Sequence, residues 1–562
     1  MGIGLITLPE THRCFLYLQR FCCFFKTTII IYIPKVLSVK IYSLLLIACS
    51  FTLAEPLVAQ TSEKIYPDVI ARIKEEGLQR SKVMETAFYL TDVCGPRLAN
   101  SDGLKRANEY TKKQLTDWGL VNANIEPWGE FGRGWDIEKS YLAMTAPYYH
   151  AMIGAPKAWT PSTNGSLKKA VVYVKALSEA DLEKYKGRLR DKIILTEVLT
   201  PPTLSFEPDA KRHTDEELQK MTIKPQTAAT APPAADATAA AERLAAYRVR
   251  LAFRSKLNDF LLTEGAVAVL STRGGKHGTF FTSNGAPYAA DARPVLPEME
   301  MAPEDLLRLI RLTEANIPVE VELESRTRFQ AQDLKGYNVV AEIPGTDRKL
   351  KTEVVMLGGH LDSWHAATGA TDNAAGVAVM MEAVRILKTL NLKPRRTIRI
   401  ALWGEEEQGL FGSRNYVKNH FGDPATMKLL PAHEKLAGYF NLDNGSGKIR
   451  GIYLQSNEAA RGIFEAWLQP FADLGATTVT YRNTGGTDHL SFDALGLPGF
   501  QFIQDGLEYG SRTHHTNQDT YERLSPDDLK QASVIVASFV YHTAMRDQKL
   551  PRKSLPQPKL EQ

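Results

Sequence analysis

Seven-residue apolar runs alternate with helical segments in the part of the chain after residue 337. The clearest helical segment reads DNAAGVAVMMEAVRILKTL, and Asp372 or Asn373 lies near its start. Continuous apolar runs bounded by turns are typical of buried parallel strands. These runs read EVVMLGG, TIRIALW, LAGYFNL and GFQFIQD. The alternation predicts an α/β fold, with a doubly wound mixed sheet and helices on both of its faces.

The part of the chain before residue 337 shows two further patterns. Residues 64–130 have the apolar spacing of helices, as in ANEYTKKQLTDWGL. Residues 150–325 contain strand-like runs, such as AVVYV and GAVAVLST, separated by turns. Within them, residues 200–246 are rich in Ala, Pro and Thr, and we interpret this stretch as a solvated excursion without a functional signal. Its alanine-rich end predicts a helix that runs to about Leu262.

These patterns predict a main α/β domain that is interrupted by a smaller β-rich domain. A chain of 562 residues is long enough for more than one core. The predicted parts are a leader at 1–60, the N-terminal part of the main domain at 61–150, the inserted domain at 151–330 with its excursion at 200–246, the rest of the main domain at 331–548 and a disordered, proline-containing tail at 549–562.

Residues 1–60 have the pattern of an export signal. Lys35 and Lys40 precede the apolar run IYSLLLIACSFTLA, and VAQ at Val58–Gln60 offers a cleavage site with small residues. The run is too short and too interrupted for a membrane span, so we expect a periplasmic or extracellular protein. A retained signal remains an alternative, as does acylation of Cys49 in a lipoprotein-like LIAC sequence, and either would attach the chain to a membrane. The unusual beginning of this leader leaves a downstream start open.

Composition indicates a soluble globular protein, with 44% hydrophobic and 23% charged residues. The net charge is +4, and residues 1–60 hold five basic and two acidic residues, which leaves only +1 for the remainder. Without a basic field, we expect no nucleic-acid partner. Of the five cysteines, only Cys94 lies beyond residue 60, so the exported chain has no internal disulfide. Cys94 lacks a nearby His, and we interpret it as a buried structural thiol.

Metal-compatible side chains follow each predicted buried strand. They are His360 and Asp362, then Asp372 at the helix start, then Glu405, Glu406 and Glu407, then Asp443, and finally His514 and His515. Because functional groups collect at the carboxyl ends of strands in open α/β sheets, we expect these side chains to lie together. Imidazole and carboxylate groups suit zinc. A carboxylate can bridge two metal ions, and a further carboxylate can move protons. The pattern therefore indicates a two-metal hydrolase.

The motifs around these residues resemble those of the clan MH di-zinc exopeptidases, which include bacterial leucyl aminopeptidases and plasma glutamate carboxypeptidase. The motifs are GGHLDSW (358–364), TDNAAG (371–376), EEEQGLFGS (405–413), NLDNG (441–445), GGTDHLSF (485–492) and HHTNQDT (514–520). The likeness covers about Tyr337 to Met545, with a weaker similarity in TDVCGPRLA (91–99). The segment LNLKPRRTIRIALWGEEEQG and the double His are more similar to the plasma glutamate carboxypeptidase branch.

The resemblance also implies a role for the inserted domain. It is similar to a protease-associated domain, a small β-rich module that would cover the cleft and restrict the length of the substrate. A lid that only stabilises the fold is the alternative. The Ala/Pro-rich stretch at 200–246 departs from the usual pattern of this module and leaves its boundaries open.

The resemblance implies a role for each metal-compatible residue. His360 and Asp443 would each hold one zinc ion, Glu407 and His515 would complete the two coordination shells, and Asp372 would bridge the ions. The catalytic glutamate of the family immediately precedes the ligand glutamate, so alignment on GLFGS makes Glu406 the general base and acid.

The remaining polar residues of the motifs receive weaker assignments. Asp362 would orient His360 through a hydrogen bond, and Glu405 would be a bystander. The family spacing selects His515 over His514, and His514 either touches substrate or is structural. Asp488 and His489 match a motif near the substrate pocket, where we expect structural roles rather than metal ligation.

We therefore predict an exported zinc exopeptidase with two zinc ions, which hydrolyses peptides or dipeptides next to a free terminus. The motifs do not select the amino or the carboxyl terminus, and a homodimer is neither indicated nor excluded. One alternative is a single-zinc glutaminyl cyclase on the same scaffold. Others are a non-catalytic receptor, such as the transferrin receptor ectodomain, and a lipoprotein that binds peptides at a membrane. The complete ligand set and Glu406 favour the peptidase.

Overall fold

The computed structural model describes residues 63–196, 201–224 and 234–558. The predicted export signal, its cleavage site and Cys49 lie outside the described residues. None of the described helices combines the length and the hydrophobicity that a membrane crossing requires. Cys94 is buried, as expected for a structural thiol, and burial raises the pKa of its thiol.

The described strands form two eight-stranded sheets and a short hairpin. In chain order they are β1 (Val121–Glu130), β2 (Gly134–Ala146), β3 (His150–Ala151), β4 (Gly154–Pro156), β5 (Leu167–Tyr173), β6 (Ile193–Leu195), β7 (Ala268–Ser271), β8 (Glu298–Met301), β9 (Glu320–Gln330), β10 (Lys335–Ile343), β11 (Val354–His360), β12 (Thr397–Trp403), β13 (Gly422–Asp423), β14 (Lys428–Leu429), β15 (Leu436–Asn441), β16 (Ile449–Tyr453), β17 (Thr478–Thr480) and β18 (Gly499–Gln504).

The α-helices lie before, between and after the described strands in the chain. Within the described part they are α1 (Pro67–Gln79), α2 (Val83–Phe88), α3 (Asp102–Asp117), α4 (Glu179–Leu182), α5 (Asp215–Thr222), α6 (Ala234–Glu264), α7 (Pro303–Glu314), α8 (Ala375–Thr389), α9 (Phe411–His420), α10 (Arg461–Leu468), α11 (His489–Asp493) and α12 (Pro526–Met545).

The first sheet has the strand order β1-β10-β12-β11-β15-β18-β16-β17. Its centre is parallel, because β12, β11, β15 and β18 are neighbours that pair in the parallel sense. β10 and β1 continue one side in the antiparallel sense, and β16 is antiparallel to β18 on the other. The four central strands are the apolar runs of the sequence. The predicted mixed α/β class is confirmed.

Alternate residues of the central strands pack on opposite faces of this sheet. On β11, Val355 and Leu357 belong to a core with residues of α1, α8 and α12, whereas Met356 belongs to a core with residues of α9 and α11. Burying one such side chain stabilises the fold by about 1.5–3 kcal/mol. Every residue of α8 from Ala375 to Leu387 is buried, and the two charged residues in this range, Glu382 and Arg385, form an ion pair with each other.

The second sheet is formed by residues between β1 and β10, in the order β3-β2-β9-β5-β6-β7-β8-β4. β2 pairs antiparallel with β9, and Gly134 lies opposite Gln330. The chain leaves the first sheet at the end of β1 and returns to it at the start of β10, where Glu130 and Lys335 lie opposite each other. β2 begins at Gly134, so the predicted boundary between residues 150 and 151 falls inside this sheet. Pairing with the distant β9, which no local pattern reveals, decides the place of β2.

The stretch predicted as a solvated excursion contains a segment that packs on the first sheet. Leu218 and Met221 of α5 are buried against Ile503 of β18. The prediction is wrong for this segment, because a short helix with two apolar residues on one face is easily hidden in a polar composition. The expected alanine-rich helix forms α6, which extends to Glu264.

The beginning of the C-terminal tail is also packed. Leu550 is 2% exposed, and Arg552 donates hydrogen bonds to the carbonyl oxygens of His433 and Leu436. The prediction of a disordered tail is therefore wrong for these residues. Proline and charge content predicted disorder, whereas contacts with residues more than a hundred positions away decide the structure.

Candidate metal centre

The carboxyl ends of the central parallel strands bring the predicted ligands to one edge of the first sheet. His360 is the last residue of β11, and Asp443 lies just beyond the end of β15. Glu406 and Glu407 lie in the turn between β12 and α9, and Asp372 lies in the turn that leads into α8. Strand order alone therefore places side chains from four separate motifs next to one another.

His515 reaches this edge from the long loop after β18. Its φ of 59° lies in the left-handed region, which costs a non-glycine residue about 1–2 kcal/mol. Its carbonyl oxygen accepts hydrogen bonds from the amide and the hydroxyl of Thr282, at 2.8 Å and 3.1 Å. Such a backbone conformation persists only where neighbouring groups hold it, and here the second sheet supplies those groups.

Asp372 stands between the two histidines. Its Oδ1 lies 3.2 Å from Nε2 of His360, and its Oδ2 lies 3.2 Å from Nε2 of His515. Asp443 Oδ1 is 3.3 Å from the same atom of His360, and Glu407 Oε2 is 2.9 Å from the same atom of His515. Each carboxylate oxygen of Asp372 therefore faces a different group of one imidazole and one further carboxylate.

Asp519 holds the backbone of Asp372 in place. Its Oδ1 accepts a 2.7 Å hydrogen bond from the amide of Thr371, and its Oδ2 accepts a 3.0 Å bond from the amide of Asp372. Burial raises the pKa of Asp519 to about 7, and the nearby charge of Asp372 acts in the same direction. Asp519 was not among the residues to which the sequence assigned a role, although its place in HHTNQDT was a usable signal.

Asp362 contacts other partners than the sequence predicted. Nδ1 of His360 lies 3.1 Å from the carbonyl oxygen of Asp362, whereas the carboxylate is 3.6 Å away. The carboxylate instead accepts hydrogen bonds from the amides of Glu406 and Glu407, at 3.0 Å and 3.2 Å. The carbonyl group of Asp362 thus orients the imidazole of His360, and its carboxylate holds the backbone of Glu406 and Glu407. The residue type alone does not show which of the two groups makes which contact.

The three consecutive glutamates have different surroundings. Glu405 is turned toward Trp128, whose indole Nε1 donates a 2.8 Å hydrogen bond to its Oε2. Glu406 is buried beside the cluster, and burial raises the pKa of its carboxyl well above the ordinary value. His360 opposes this shift, and the carboxylate of Asp443 reinforces it. Glu407 lies against His515, and burial raises its pKa to about 7.

His514 lies beside the cluster, and its ring nitrogen is near enough to Asp372 and His515 for the three to hold a cation. Its Nε2 is 3.9 Å from Oδ2 of Asp372, farther than the 3.2 Å of His515. Its ring packs on His515 with centroids 3.8 Å apart and contacts Tyr509 on another side. His514 is 43% exposed, so one edge of its ring remains accessible to a molecule in the cleft.

Asp488 and His489 are buried behind the cluster. His489 Nε2 lies 2.8 Å from the side-chain amide of Gln455 and 3.2 Å from the carbonyl oxygen of Thr484. Burial lowers the pKa of His489 to about 4, which favours a neutral structural histidine. Neither oxygen of Asp488 has a hydrogen bond of normal geometry, and burial raises its pKa to about 7.

The donor set fits a pair of divalent cations. The carboxylates of Asp372, Asp443 and Glu407 lie together with only two imidazoles, those of His360 and His515. Oδ2 of Asp372 and Oε1 of Glu407 are buried without a hydrogen bond of normal geometry, which a bound cation would compensate. Nitrogen and carboxylate oxygen donors in this mixture suit zinc.

Fold and site together define a class of protein. A parallel α/β sheet presents histidines and carboxylates at its carboxyl edge, around a carboxylate that faces two donor groups and beside a buried glutamate. This combination is that of a metal-dependent hydrolase.

The comparison with protein families narrows this class to one family. Residues 338–540 match Peptidase family M28. This match bears out the resemblance to metal-dependent exopeptidases that the motifs implied. The matched range includes every predicted ligand and Glu406.

Similarity to known proteins extends beyond this domain. Carboxypeptidase Q of Mus musculus is 26% identical over 498 residues, which cover 87% of this chain and 91% of that protein. The solved structure of a peptidase M28 precursor from Shewanella amazonensis has a TM-score of 0.61 and 24% identity, and covers 87% of this chain and 99% of its own. The structure of a zinc aminopeptidase from Bacillus subtilis has a TM-score of 0.51 and 17% identity, and the match covers 84% of this chain and 96% of that one. The last two likenesses concern the fold.

Proposed function

We propose that the protein is a zinc exopeptidase with two metal ions, which hydrolyses the peptide bond next to a free terminus. The observation that carries this proposal is the position of Asp372, whose two carboxylate oxygens face His360 and His515 at 3.2 Å each. A carboxylate in such a position is the usual bridge in two-metal hydrolases. Similarity to a carboxypeptidase and to a zinc aminopeptidase supports the same conclusion.

The ligand assignment follows from the two donor groups. His360, Asp443 and Oδ1 of Asp372 would hold one ion. His515, Glu407 and Oδ2 of Asp372 would hold the other. When bound, zinc ions lower the pKa of a water molecule and stabilise negative charge on a carbonyl oxygen. Without metal, burial lowers the pKa of His515, but the nearby carboxylates outweigh this effect and raise it to about 11. As a zinc ligand His515 must be neutral, so the ion would replace the proton on its ring nitrogen.

Glu406 is the general base and acid in this proposal. Its carboxylate takes a proton from the attacking water and later delivers it to the departing amine. Burial raises the pKa of Glu406, which brings it closer to neutral pH than the pKa of an exposed glutamate. The carboxylate of Asp362 supports this role, because it holds the amides of Glu406 and Glu407 and thereby fixes the direction of both side chains. Asp362 is a positioning residue here.

We also propose that the second sheet, residues 134–330, is a lid that limits the length of the substrate. Two observations support this. Thr282 binds the carbonyl of His515, and the side chain of Asn517 donates to the carbonyl oxygen of Gly278 and accepts from the amide of Phe280. The lid therefore contacts the ligand loop directly. His514, partly exposed beside the cluster, is a candidate contact for substrate.

We propose an exported enzyme that acts on peptides, on the strength of the signal pattern in residues 1–60. Membrane attachment would require a retained signal or acylation of Cys49.

The test combines metal analysis with a panel of dipeptides. Zinc per chain is measured for wild type and Glu406→Gln, and both are assayed on dipeptides with free, N-acetylated or C-amidated ends. We expect about two zinc ions in both proteins, activity in the wild type alone, and loss of activity when one particular terminus is blocked. The sensitive terminus identifies the enzyme as an aminopeptidase or a carboxypeptidase.

Two results would contradict the proposal. A single zinc ion per chain, together with cyclisation of peptides that begin with glutamine, would identify a glutaminyl cyclase. Two zinc ions without activity on any member of the panel, in the wild type, would favour a receptor.

A further inference from the structure

Residues 207–224 form a strap that crosses from the second sheet to the loop that carries His515. The strap makes an antiparallel bridge with that loop, in which the amide of Lys211 donates to the carbonyl of Leu507 at 2.9 Å and receives a 2.7 Å bond in return. Leu507 lies between the end of β18 and His515 in the chain. The strap therefore contacts the ligand loop in its first half.

An ion pair between Arg212 and two buried carboxylates anchors the strap beside this bridge. Arg212 Nη1 donates to Asp505 at 2.9 Å and to Asp528 at 2.7 Å, and both carboxylates are almost fully buried. The amide of His213 donates to the other oxygen of Asp505 at 2.9 Å. Asp505 directly follows β18, so this contact fixes the point at which the ligand loop leaves the sheet.

Helix α5 provides the apolar part of the anchor. Thr214 and Glu217 form a reciprocal capping box at its start, which stabilises a helix of only eight residues. Leu218 and Met221 pack against Ile503, and the hydroxyl of Thr480 donates to the carbonyl of Met221 at 2.6 Å. The strap is thus held at its far end by the sheet itself.

Asp209 is the point at which the strap, the lid and the ligand loop meet. Its Oδ1 accepts a 2.6 Å bond from Lys276 of the lid, and its Oδ2 accepts a 2.6 Å bond from Arg512 of the ligand loop. The hydroxyl of Ser511 donates to the carbonyl of Asp209 at 2.8 Å. Arg512 precedes His515 by three residues. The carboxylate of Asp209 therefore connects Lys276 with Arg512, on the loop that carries His515.

The chemistry of a metal site explains why such a link matters. A ligand must be held within about 0.5 Å and 10–20° of its productive position. His515 lies on a loop, is 30% exposed and has a φ in the left-handed region, so its own chain segment does not hold it there. Thr282 secures its carbonyl from the lid. Asp209 secures the turn that precedes it.

We propose that Asp209 is a positioning residue for the metal site, and that the strap holds His515 in place for the ion shared with Glu407. The proposal rests on the proposed function, in which His515 is a zinc ligand. It assigns a role to a segment whose composition carried no functional signal. Residues that orient metal ligands typically contribute about 10–100-fold to metal affinity, and we expect an effect of this order.

The experiment compares Asp209→Asn with Asp215→Asn in the full chain. Asp215 lies on the same strap, but its side chain is fully exposed, so its replacement is a matched control. Zinc per chain is measured in buffers of controlled free zinc, and the melting temperature is measured after zinc removal. We expect Asp209→Asn to bind one of the two ions about 10-fold or more weakly than wild type and the control do, so that this ion dissociates at a higher concentration of free zinc. The zinc-free melting temperatures of the two variants should be similar.

A purely structural role would give a different result. Asp209→Asn would then melt lower without zinc and bind both ions as tightly as wild type, and this outcome would overturn the proposal. Lys276→Gln, which removes the other cation from Asp209, should weaken the same ion in the same direction and provides a second variant if Asp209→Asn does not fold. Failure of the proposed function is recognised separately, because wild type itself would bind fewer than two zinc ions.

Discussion

The indole Nε1 of Trp128 donates a 2.8 Å hydrogen bond to Oε2 of Glu405. Glu405 has a φ of 59°, and this turn of the backbone directs its carboxylate away from the cluster that Glu406 and Glu407 adjoin. Burial and the charge of Asp362 raise the pKa of Glu405 well above its ordinary value. A carboxyl that binds an indole has a structural task, although the sequence EEE does not distinguish it from its neighbours.

We predict opposite outcomes for glutamine at these two adjacent positions. Glu405→Gln should leave kcat almost unchanged, because the carbonyl of glutamine can accept the bond from Trp128, with a stability change of about 1 kcal/mol or less. Glu406→Gln should lower kcat by about 10²–10⁴-fold, because glutamine cannot carry the proton. Both variants are measured for kcat, KM and zinc content. Equal losses of kcat in the two variants would show that the base has been identified wrongly.

Asp372 and Asp443 should differ in the number of ions that they support. Asp372→Asn should weaken both zinc ions, because each oxygen of Asp372 faces a different histidine. Asp443→Asn should weaken only the ion beside His360, since Asp443 contacts that group alone. Zinc per chain is measured across a range of free zinc. A variant Asp372→Asn that retains one tightly bound ion would be incompatible with a bridging carboxylate.

Asp519 should act on the metal through Asp372. Asn at this position keeps one carbonyl oxygen, so one of the two amide bonds to Thr371 and Asp372 is lost. We expect zinc affinity to fall by about 10–100-fold, which is the usual effect of losing a group that orients a ligand. Asp527→Asn, at an exposed carboxylate, is the control and should bind zinc like wild type. Normal affinity in Asp519→Asn would mean that the turn before α8 is held by other contacts.

The sequence predicted those parts of the molecule that are encoded locally. Four apolar runs of seven residues became the four central parallel strands, and the candidate ligand residues follow them because strand ends share one edge of a sheet. The strand-end position of His360 and Asp443 needed no knowledge of the rest of the chain. Local pattern and topology agreed there.

The missed features all depend on contacts between distant segments. Asp519 lies 147 positions from Asp372, whose amide it binds, and Arg212 lies 293 positions from Asp505. The start of the second sheet at Gly134 depends on pairing with Gln330. No residue type or spacing within one segment records such partners, so only the folded structure reveals them.

The largest effect on stability that we predict concerns Arg97, in the segment TDVCGPRLA. This guanidinium is fully buried and donates to the carbonyl oxygens of Leu361, Leu90, Thr368 and Gly369, at 2.7–3.0 Å. Burial lowers its pKa. Three of these carbonyls, those of Leu361, Thr368 and Gly369, lie at the two ends of the loop between His360 and Asp372. Arg97 therefore fixes the segment that connects two of the proposed ligands.

Arg97→Met should leave several of these carbonyls without a donor, at about 1–3 kcal/mol each, so we expect a loss of at least about 3 kcal/mol. Arg97→Lys should be only partly better, since an ammonium cannot span carbonyls that a planar guanidinium reaches from two sides. Arg72→Met, which removes an exposed arginine, should stay within about 0.5 kcal/mol of wild type. Urea unfolding of the zinc-free proteins measures all three. If Arg97→Lys is as stable as wild type, a buried positive charge alone suffices and the carbonyl contacts contribute little.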